Sequence, residues 1–460
     1  MSIRSVSRYF WPVLLLPLGA WASDAPATPM CGNEYIPRLN PSRAIVCALD
    51  HGIARDTGTD QGDNIRAALS RLAPSATGLF LPQGRYIVGG VIQLKSGQAL
   101  VGSRQGTSHL INPGSAYDPI SAHGNGVLIE GLVLDNRAVD LHGEAEGEGH
   151  VVRYTGFREM EKLNFQLSVF GPASHQIIGN VLWPSPSNQV GGIRMLNTRQ
   201  GVVEGNQVAT TDPTGLSATT RDLSARMATL PRRDGSMPPT DPAPTPFPPS
   251  AVSGHTMKST LIQGNRFGAS VNLYSTEHLS VQGNHFAPAT PTWDVDLELL
   301  GTVDSWVVGN TFERMPLTVD LGEHHGVVNT LGPTIVGNWF LDTLVQVKQT
   351  EGLDGPLKAS TDLVLVGNRF KNPPMPCAIE AVEWNVPERR FLVADNGALS
   401  DGAWACHARN IGQDEARDRL SRRGGDLSAP AVPFGMAQWQ AGHDIFQLKS
   451  AEGAAPPQHP

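Results

Sequence analysis

One apolar phrase closing on Gly-Asn recurs along most of the chain. It reads IIGNVL around Asn180, VVEGNQV around Asn206, LIQGNRF around Asn265 and SVQGNHF around Asn284. It continues as WVVGNTF around Asn310, TIVGNWF around Asn338 and LVLVGNRF around Asn368, with a worn copy, LVADNGA, at Asn396. In each copy two or three apolar residues predict a short strand. Gly-Asn then predicts a turn, since both residues tolerate positive φ. The Phe or Val that follows points back inside. One such coil cannot bury its own apolar face, but stacked coils can. Stacking also sets the Asn side chains in a ladder, each amide bonding to the next, at roughly the 4.8 Å strand spacing. These Asn residues are read as structural. A second strand follows each turn and alternates apolar with polar positions: Ile193–Leu196, Val271–Tyr274, Val295–Glu298, Val319–Gly322, Val345–Lys348 and Ile379–Ala381.

The N-terminal side predicts the elements that open such a solenoid. Residues Asp63 to Leu72 carry the apolar spacing of a short amphipathic helix, with Asp63 or Asn64 as its cap. LFLPQGRY, IQLKSG and ALVGS follow as strands and turns. This order, together with the Gly-Asn repeats, resembles the opening of pectate-lyase-like proteins over roughly residues 60 to 400. The resemblance implies an all-β, right-handed parallel β-helix whose helix caps the open end and blunts its edge. That fold hosts lyases, hydrolases, epimerases and adhesins, so the likeness speaks for the fold and not for one reaction.

Composition agrees with a solenoid. Hydrophobic residues make up 40% of the 460, charged residues only 17%, and Gly 49 and Pro 36 favour turns over long helices. The formal charge of -8 argues against a nucleic-acid partner and against an anionic membrane surface. Arg4, Arg8, the apolar run Phe10–Leu18 and Ala20-Trp21-Ala22 read as an export signal over 1–22, too short to span a membrane. A secreted or periplasmic protein is expected, with no membrane association after cleavage. Residues 23–60 form an N-terminal extension and 61–400 the β-helix. Within it, 209–256 is too rich in Pro for coil strands and reads as a long loop insertion. Residues 401–460 lack the repeat and form a C-terminal cap and tail. Four cysteines follow an export signal, which suggests two disulfides. Of three pairings, Cys31–Cys47 with Cys377–Cys406 is preferred, since each bond staples one end. No CxxC or Cys/His spacing supports zinc.

Candidate chemistry follows from aligning the second strands by their Gly-Asn turns. The outward residues then form a column: Arg194, Asn272, Asp296, Asp320, Gln346 and Glu380. A second row holds Tyr274, Glu298 and Lys348, and Asp294 precedes it. On this alignment Asp296 and Asp320 sit one coil apart. Carboxylates that close require a raised pKa or a bound cation. Asp296, Asp320 and Glu298 are therefore the expected catalytic centre, with His324, His325 and Lys348 beside them. Asp294, Tyr274, Asn272, Arg194 and Gln346 are expected to bind substrate. Asp294, Asp296 and Asp320 are the oxygen donors for calcium, should the site use one. The alternative is that the face is merely solvated.

Two enzyme chemistries fit this face. In hydrolysis Asp296 and Asp320 act as general acid and base on a polysaccharide. The order carboxylate, carboxylate, Gly-Glu-His-His-Gly, Val-Gln-Val-Lys is similar to that of polygalacturonase-like glycoside hydrolases, though Asn-Thr-Asp, Asp-Asp and Arg-Ile-Lys are missing. In elimination, calcium neutralises a uronate carboxylate and Lys348, a His or an Arg takes the neighbouring proton. Arg153, Arg158 and Arg194 are further candidates to bind a uronate. Epimerisation shares that proton abstraction. A non-catalytic carbohydrate-binding solenoid is the alternative from another class.

Overall fold

The computed structural model describes residues 29–398 and 410–411, apart from 40–43, 73–76, 115–116, 145–147, 159, 161–163, 185–190, 232–249, 289–294, 321–332, 349–362, 374–377, 382–390 and 395. Among the described residues three long sheets carry fourteen, twelve and eleven strands, and neighbouring strands within each are parallel. Each coil contributes one strand to each sheet in turn. Ser174–Ile178 lies in the first sheet, Val181–Trp183 in the second and Ile193–Leu196 in the third. The expected parallel β-helix is the observed fold.

The Gly-Asn turn joins the first sheet to the second. Its Gly does the turning: Gly179, Gly205, Gly264 and Gly283 all lie at φ between 60 and 62°. The Asn is absent from the positive-φ residues and serves the ladder instead. Each Nδ2 donates to Oδ1 of the next Asn, at 2.8 to 3.0 Å, from Asn180 through Asn206, Asn265, Asn284, Asn310, Asn338 and Asn368 to Asn396. The same Nδ2 also donates to a main-chain carbonyl one coil back, as Asn284 does to Ile262 at 2.9 Å. Both amide ends are thereby satisfied in a buried place, where an unpaired polar group is costly. The ladder passes from Asn206 to Asn265 directly, so the long gap in the repeat spans a single coil. Inside the turns Phe267, Phe286, Phe312, Phe340 and Phe370 stack with centroids 4.6 to 5.3 Å apart.

The capping helix runs Gly62–Arg71 and buries Ile65, Ala68 and Leu69 over the first coil. Its N-terminus is held by neither Asp63 nor Asn64. Asp60 Oδ1 accepts from the Gly62 and Gly89 amides at 2.7 and 2.9 Å, while Asp63 pairs with Arg66. The Cys31–Cys47 disulfide is formed at this end, with an S–S distance of 2.00 Å. Cys377 and Cys406 lie outside the described residues, as do residues 1–22, read above as an export signal, and those beyond Ile411.

The insertion is more ordered at its root than its prolines suggest. Ala218–Thr229 is a helix, capped by Ser217, whose side chain accepts from the Thr220 amide. It lays Leu223 and Met227 on Val133 and Val181 of the second sheet. Arg158 donates to the Leu230 carbonyl at 3.1 Å and pins the helix end. The sequence reading extended the insertion to 256, yet Val252–His255 is a strand of the third sheet, paired with Ile193–Leu196 and Val271–Tyr274.

Candidate functional site

The third sheet alternates buried residues with outward ones, most of the latter half-buried, and its register decides which of them are neighbours. Asn272 faces Glu298, which faces Thr318, which faces Gln346, which faces Glu380. Two residues further along, Tyr274 faces Leu300, Leu300 faces Asp320 and Asp320 faces Lys348. The column expected from the sequence is therefore wrong in the middle. The strand is Leu297–Leu300, not Val295–Glu298, so Glu298 takes the place assigned to Asp296 and Asp320 moves to the neighbouring row. Asp296 and Asp320 do not face each other. They are offset by four positions, about 13 Å along the strand direction. A slip of two residues leaves every inward residue inward, so alternation alone could not detect it.

This separation removes both the paired carboxylates and the calcium site drawn between them. Among the described residues no group of three or more His, Cys, Asp or Glu could hold a metal ion. Asp294, His324 and His325 lie outside the described residues, and Lys348 is placed by its backbone alone. At this end Tyr274 donates its hydroxyl to Glu298 Oε2 at 2.5 Å. Burial, then that bond and the charges of Glu298, Asp296 and Asp320, hold the phenol well above its usual range. His255 meets the Tyr274 ring edge-on at 4.9 Å. Asp296 is half-buried, and its amide donates to Ser270 Oγ at 3.3 Å. Asp320 is only 1% exposed.

A second cluster lies on earlier coils of the same face. Asp140 is in register with Ser121 and Ser168, and Ser168 with Arg194. In the neighbouring row His123, His142 and Phe170 are in register. Their rings stack: His123 on His142 at 4.8 Å, His142 on Phe170 at 4.4 Å. The Arg194 guanidinium lies 5.6 Å from the ring centroids of both Phe170 and Phe165. His142 Nε2 stands 3.5 Å from Asp140 Oδ1. Burial raises the Asp140 carboxyl, opposed by His142, His123 and Arg194. Tyr117 lies within electrostatic reach of Asp140 and Arg194. Its phenol is pushed up to about 12, chiefly by burial and further by the Asp140 charge.

Of this cluster only Arg194 was singled out by sequence reasoning. The signal existed in the alternating strands Ile120–His123, Val139–His142 and Leu167–Phe170. These coils precede Asn180, the first copy of the Gly-Asn phrase, and so lacked the mark by which the others were aligned. Arg153 and Arg158 stand elsewhere: Arg153 pairs with Glu130 at 2.7 Å on the first sheet, and Arg158 lies in the second.

Comparison with known proteins places the fold. No family model matches the chain, and no curated protein sequence matches it. Among solved structures it is similar to the Dettilon tailspike protein, with a TM-score of 0.50 at 12% identity over 78% of this chain and 68% of that one. It is also similar to DFA-IIIase from Arthrobacter chlorophenolicus A6, with a TM-score of 0.44 at 14% identity over 84% and 89%. For the A-module of a mannuronan C-5 epimerase from Azotobacter vinelandii the TM-score is 0.32 at 15% identity, over 80% and 96%. The fold is a right-handed parallel β-helix. Within this β-helix both clusters stand on one continuous face, formed by the sheet that follows the second corner of each coil. Among the described residues no helix is long and apolar enough to cross a membrane.

Proposed function

We propose that the protein is an exported enzyme that acts on an acidic polysaccharide, by proton transfer beside the carboxylate of a uronate. The reading rests on one observation: on the outward side of the third sheet, Asp140 lies 3.5 Å from the His142 imidazole and within electrostatic reach of Arg194, beside a row of stacked rings. Arg194, braced by Phe165 and Phe170, presents a planar fork that matches a carboxylate. Pairing with the uronate carboxylate spreads the negative charge that develops when the C5 proton leaves. Arg194 thus takes the role that calcium held in the sequence reading. A proton on His142 Nε2 faces Asp140 and leaves the Nδ1 lone pair as base. Asp140 orients that ring and steadies the imidazolium it becomes. Tyr117, within electrostatic reach of Asp140 and Arg194, is our candidate for the acid.

The balance of the step is simple. The C5–H bond breaks toward the base, and a C4–C5 double bond forms as the C4–O bond breaks. The leaving oxygen takes the acid's proton. If C5 is reprotonated from the opposite face before that bond breaks, the product is the C5 epimer. Hydrolysis is less favoured, because the Asp296–Asp320 pair it needs is not formed. The Cys31–Cys47 disulfide supports an oxidising, exported setting.

The test is turnover of a polyuronate panel in deuterium oxide. Elimination yields the ultraviolet absorbance of an unsaturated uronate, and epimerisation yields deuterium at C5 of an intact chain. New reducing ends without either signal would overturn the proton-transfer reading. Binding with no chemistry would reduce the protein to a carbohydrate-binding solenoid.

A further inference from the structure

The corner that leads from the third sheet back to the first repeats one backbone device. Gln200, Ser259, His278 and Asp304 take the same place on successive coils, all with φ between 48 and 53°. Main-chain bonds fix their register: the Gln200 amide donates to the Lys258 carbonyl, Ser259 to Glu277 and His278 to Val303, at 2.8 to 2.9 Å. Neighbours in this column therefore stand one coil apart, roughly 4.8 Å, with their side chains projecting alike. The Asn ladder repeats one residue type because its work is the same at each coil. This column changes its chemistry at every step. His278 Nδ1 lies 3.1 Å from Asp304 Oδ2. Asp304 is buried, whereas the imidazole is 38% exposed. A carboxylate only accepts, so Nδ1 donates, and in the neutral ring Nε2 keeps its lone pair on the side away from Asp304. Ser259 stands one coil away on that other side, half-buried. Beside it in the chain is Lys258, whose ammonium is held by Glu277 at 2.8 Å.

We propose that Ser259, His278 and Asp304 form a second catalytic centre, which hydrolyses short acyl esters carried on sugar hydroxyls. A serine needs a base to become a nucleophile, and the base needs a third group to orient it. The column supplies the three in order, one per coil. Rotation about the Ser259 Cα–Cβ bond turns the hydroxyl toward Nε2. As Oγ attacks the ester carbonyl carbon, His278 takes the hydroxyl proton, and Asp304 steadies the imidazolium. The Lys258 ammonium draws the negative charge that develops on the carbonyl oxygen. The bond from the acyl carbon to the sugar oxygen then breaks, and that oxygen leaves with the proton from Nε2. Water, deprotonated by the same ring, attacks the acyl group left on Ser259. The free acid departs, and Oγ recovers its proton. With Ser259 half-buried between coils, a small acyl group such as acetyl suits it better than a bulky one. The choice of a sugar as the alcohol rests on the polysaccharide reading above, since the corner lies just past the strand that ends at Tyr274. The roles of the three side chains do not rest on it.

The experiment follows acetate release by the full chain from p-nitrophenyl acetate and from acetylated oligouronates. Wild type should cleave both. Ser259→Ala, His278→Asn and Asp304→Asn should each lower the rate by about 10²- to 10⁴-fold. A fluorophosphonate should leave its adduct on Ser259, located by peptide mass, and His278→Asn should suppress that labelling. Turnover of unacetylated polyuronate should be the same in Ser259→Ala as in wild type, because the two centres are separate. Should Asp304→Asn fail to fold, the Ser259 adduct and the Ser259→Ala rate still decide. No release from either ester overturns the proposal. So does release that survives in Ser259→Ala, or an adduct that forms elsewhere. Cleavage of p-nitrophenyl acetate alone overturns the sugar ester as substrate and upholds the three residues. Ester cleavage without any polyuronate turnover upholds this centre while the proton-transfer reading fails.

Discussion

The two ends of the outer face share one backbone and differ in chemistry. The early coils put an arginine, two imidazoles, a phenol and one carboxylate around a ring stack. The later coils put a phenol against a carboxylate, with two further acids nearby. Strand spacing and register are of the same kind at both ends, so the scaffold does not choose between them. The difference lies in charge. A base must be able to take a proton while an anionic sugar is held, which requires a cation beside it. Arg194 supplies one early, while the later acids are gathered around the Tyr274 phenol. A parallel β-helix thus offers many equivalent places for a site, and a handful of outward side chains decides which is used.

The largest expected effect tests that choice directly. His142→Ala or Asp140→Asn should lower turnover by about 10²- to 10⁴-fold, the range for losing a general base or its partner. Asp296→Asn should change it less than about threefold, as expected away from such features. Steady-state rates on the best polyuronate give both numbers, and reversed sizes would move the reacting centre to the later coils. Next in size, Arg194→Ala removes a charge-assisted pair worth about 1.5–3 kcal/mol, so kcat/KM should fall roughly 10- to 100-fold. Arg194→Lys should recover only part of it, because a point charge lacks the fork. Equal rates in the Lys variant and wild type would exclude a bidentate role.

Stability separates the ends in a second way. Asn284→Ala would leave the Asn265 amide and main-chain N–H without their acceptor. A loss of about 1–3 kcal/mol is expected from the urea midpoint. A smaller shift would mean that the ladder is not a principal support of the later coils.

The early coils rest instead on a buried imidazole pair. His150 and His175 stack at 5.2 Å, and their Nδ1 atoms accept from the Val127 and His150 amides. His175 Nε2 lies 3.1 Å from the carbonyl of Phe170, whose ring carries the stack, and donates to it. Burial lowers both pKa values to about 4, from 6.5. The folded values lie below the unfolded ones, so the unfolded chain binds more protons in that interval. Stability is full above about 6.5 and is lost as pH falls toward 4. Melting temperatures across that interval should decline, and His175→Asn should flatten the slope. Hydrogen exchange should report opening first at the early coils. An unchanged slope in the variant would assign the acid response elsewhere.

Much of this architecture was legible before any coordinates. The Gly-Asn phrase yielded the solenoid, its ladder and the inward residue after each turn, while the strand Val252–His255 was counted into the insertion. The Cys31–Cys47 pairing followed from proximity in the chain. The insertion helix was missed, although Leu223, Met227 and Leu230 carry helical spacing, because the prolines downstream dominated the reading. The early cluster was missed because its coils carry no Gly-Asn mark.

By itself, then, the sequence determined the periodicity of the marked coils: which residues turn and which alternate inward. That information is local, because a strand's alternation and a turn's glycine are set by neighbours along the chain. Only the tertiary structure decided which outward side chains meet. A two-residue slip preserves every buried position, so burial cannot tell Asp296 from Glu298 as the partner of Asn272. Register is set instead by where each corner ends and the next strand begins, and that depends on how whole coils pack on one another.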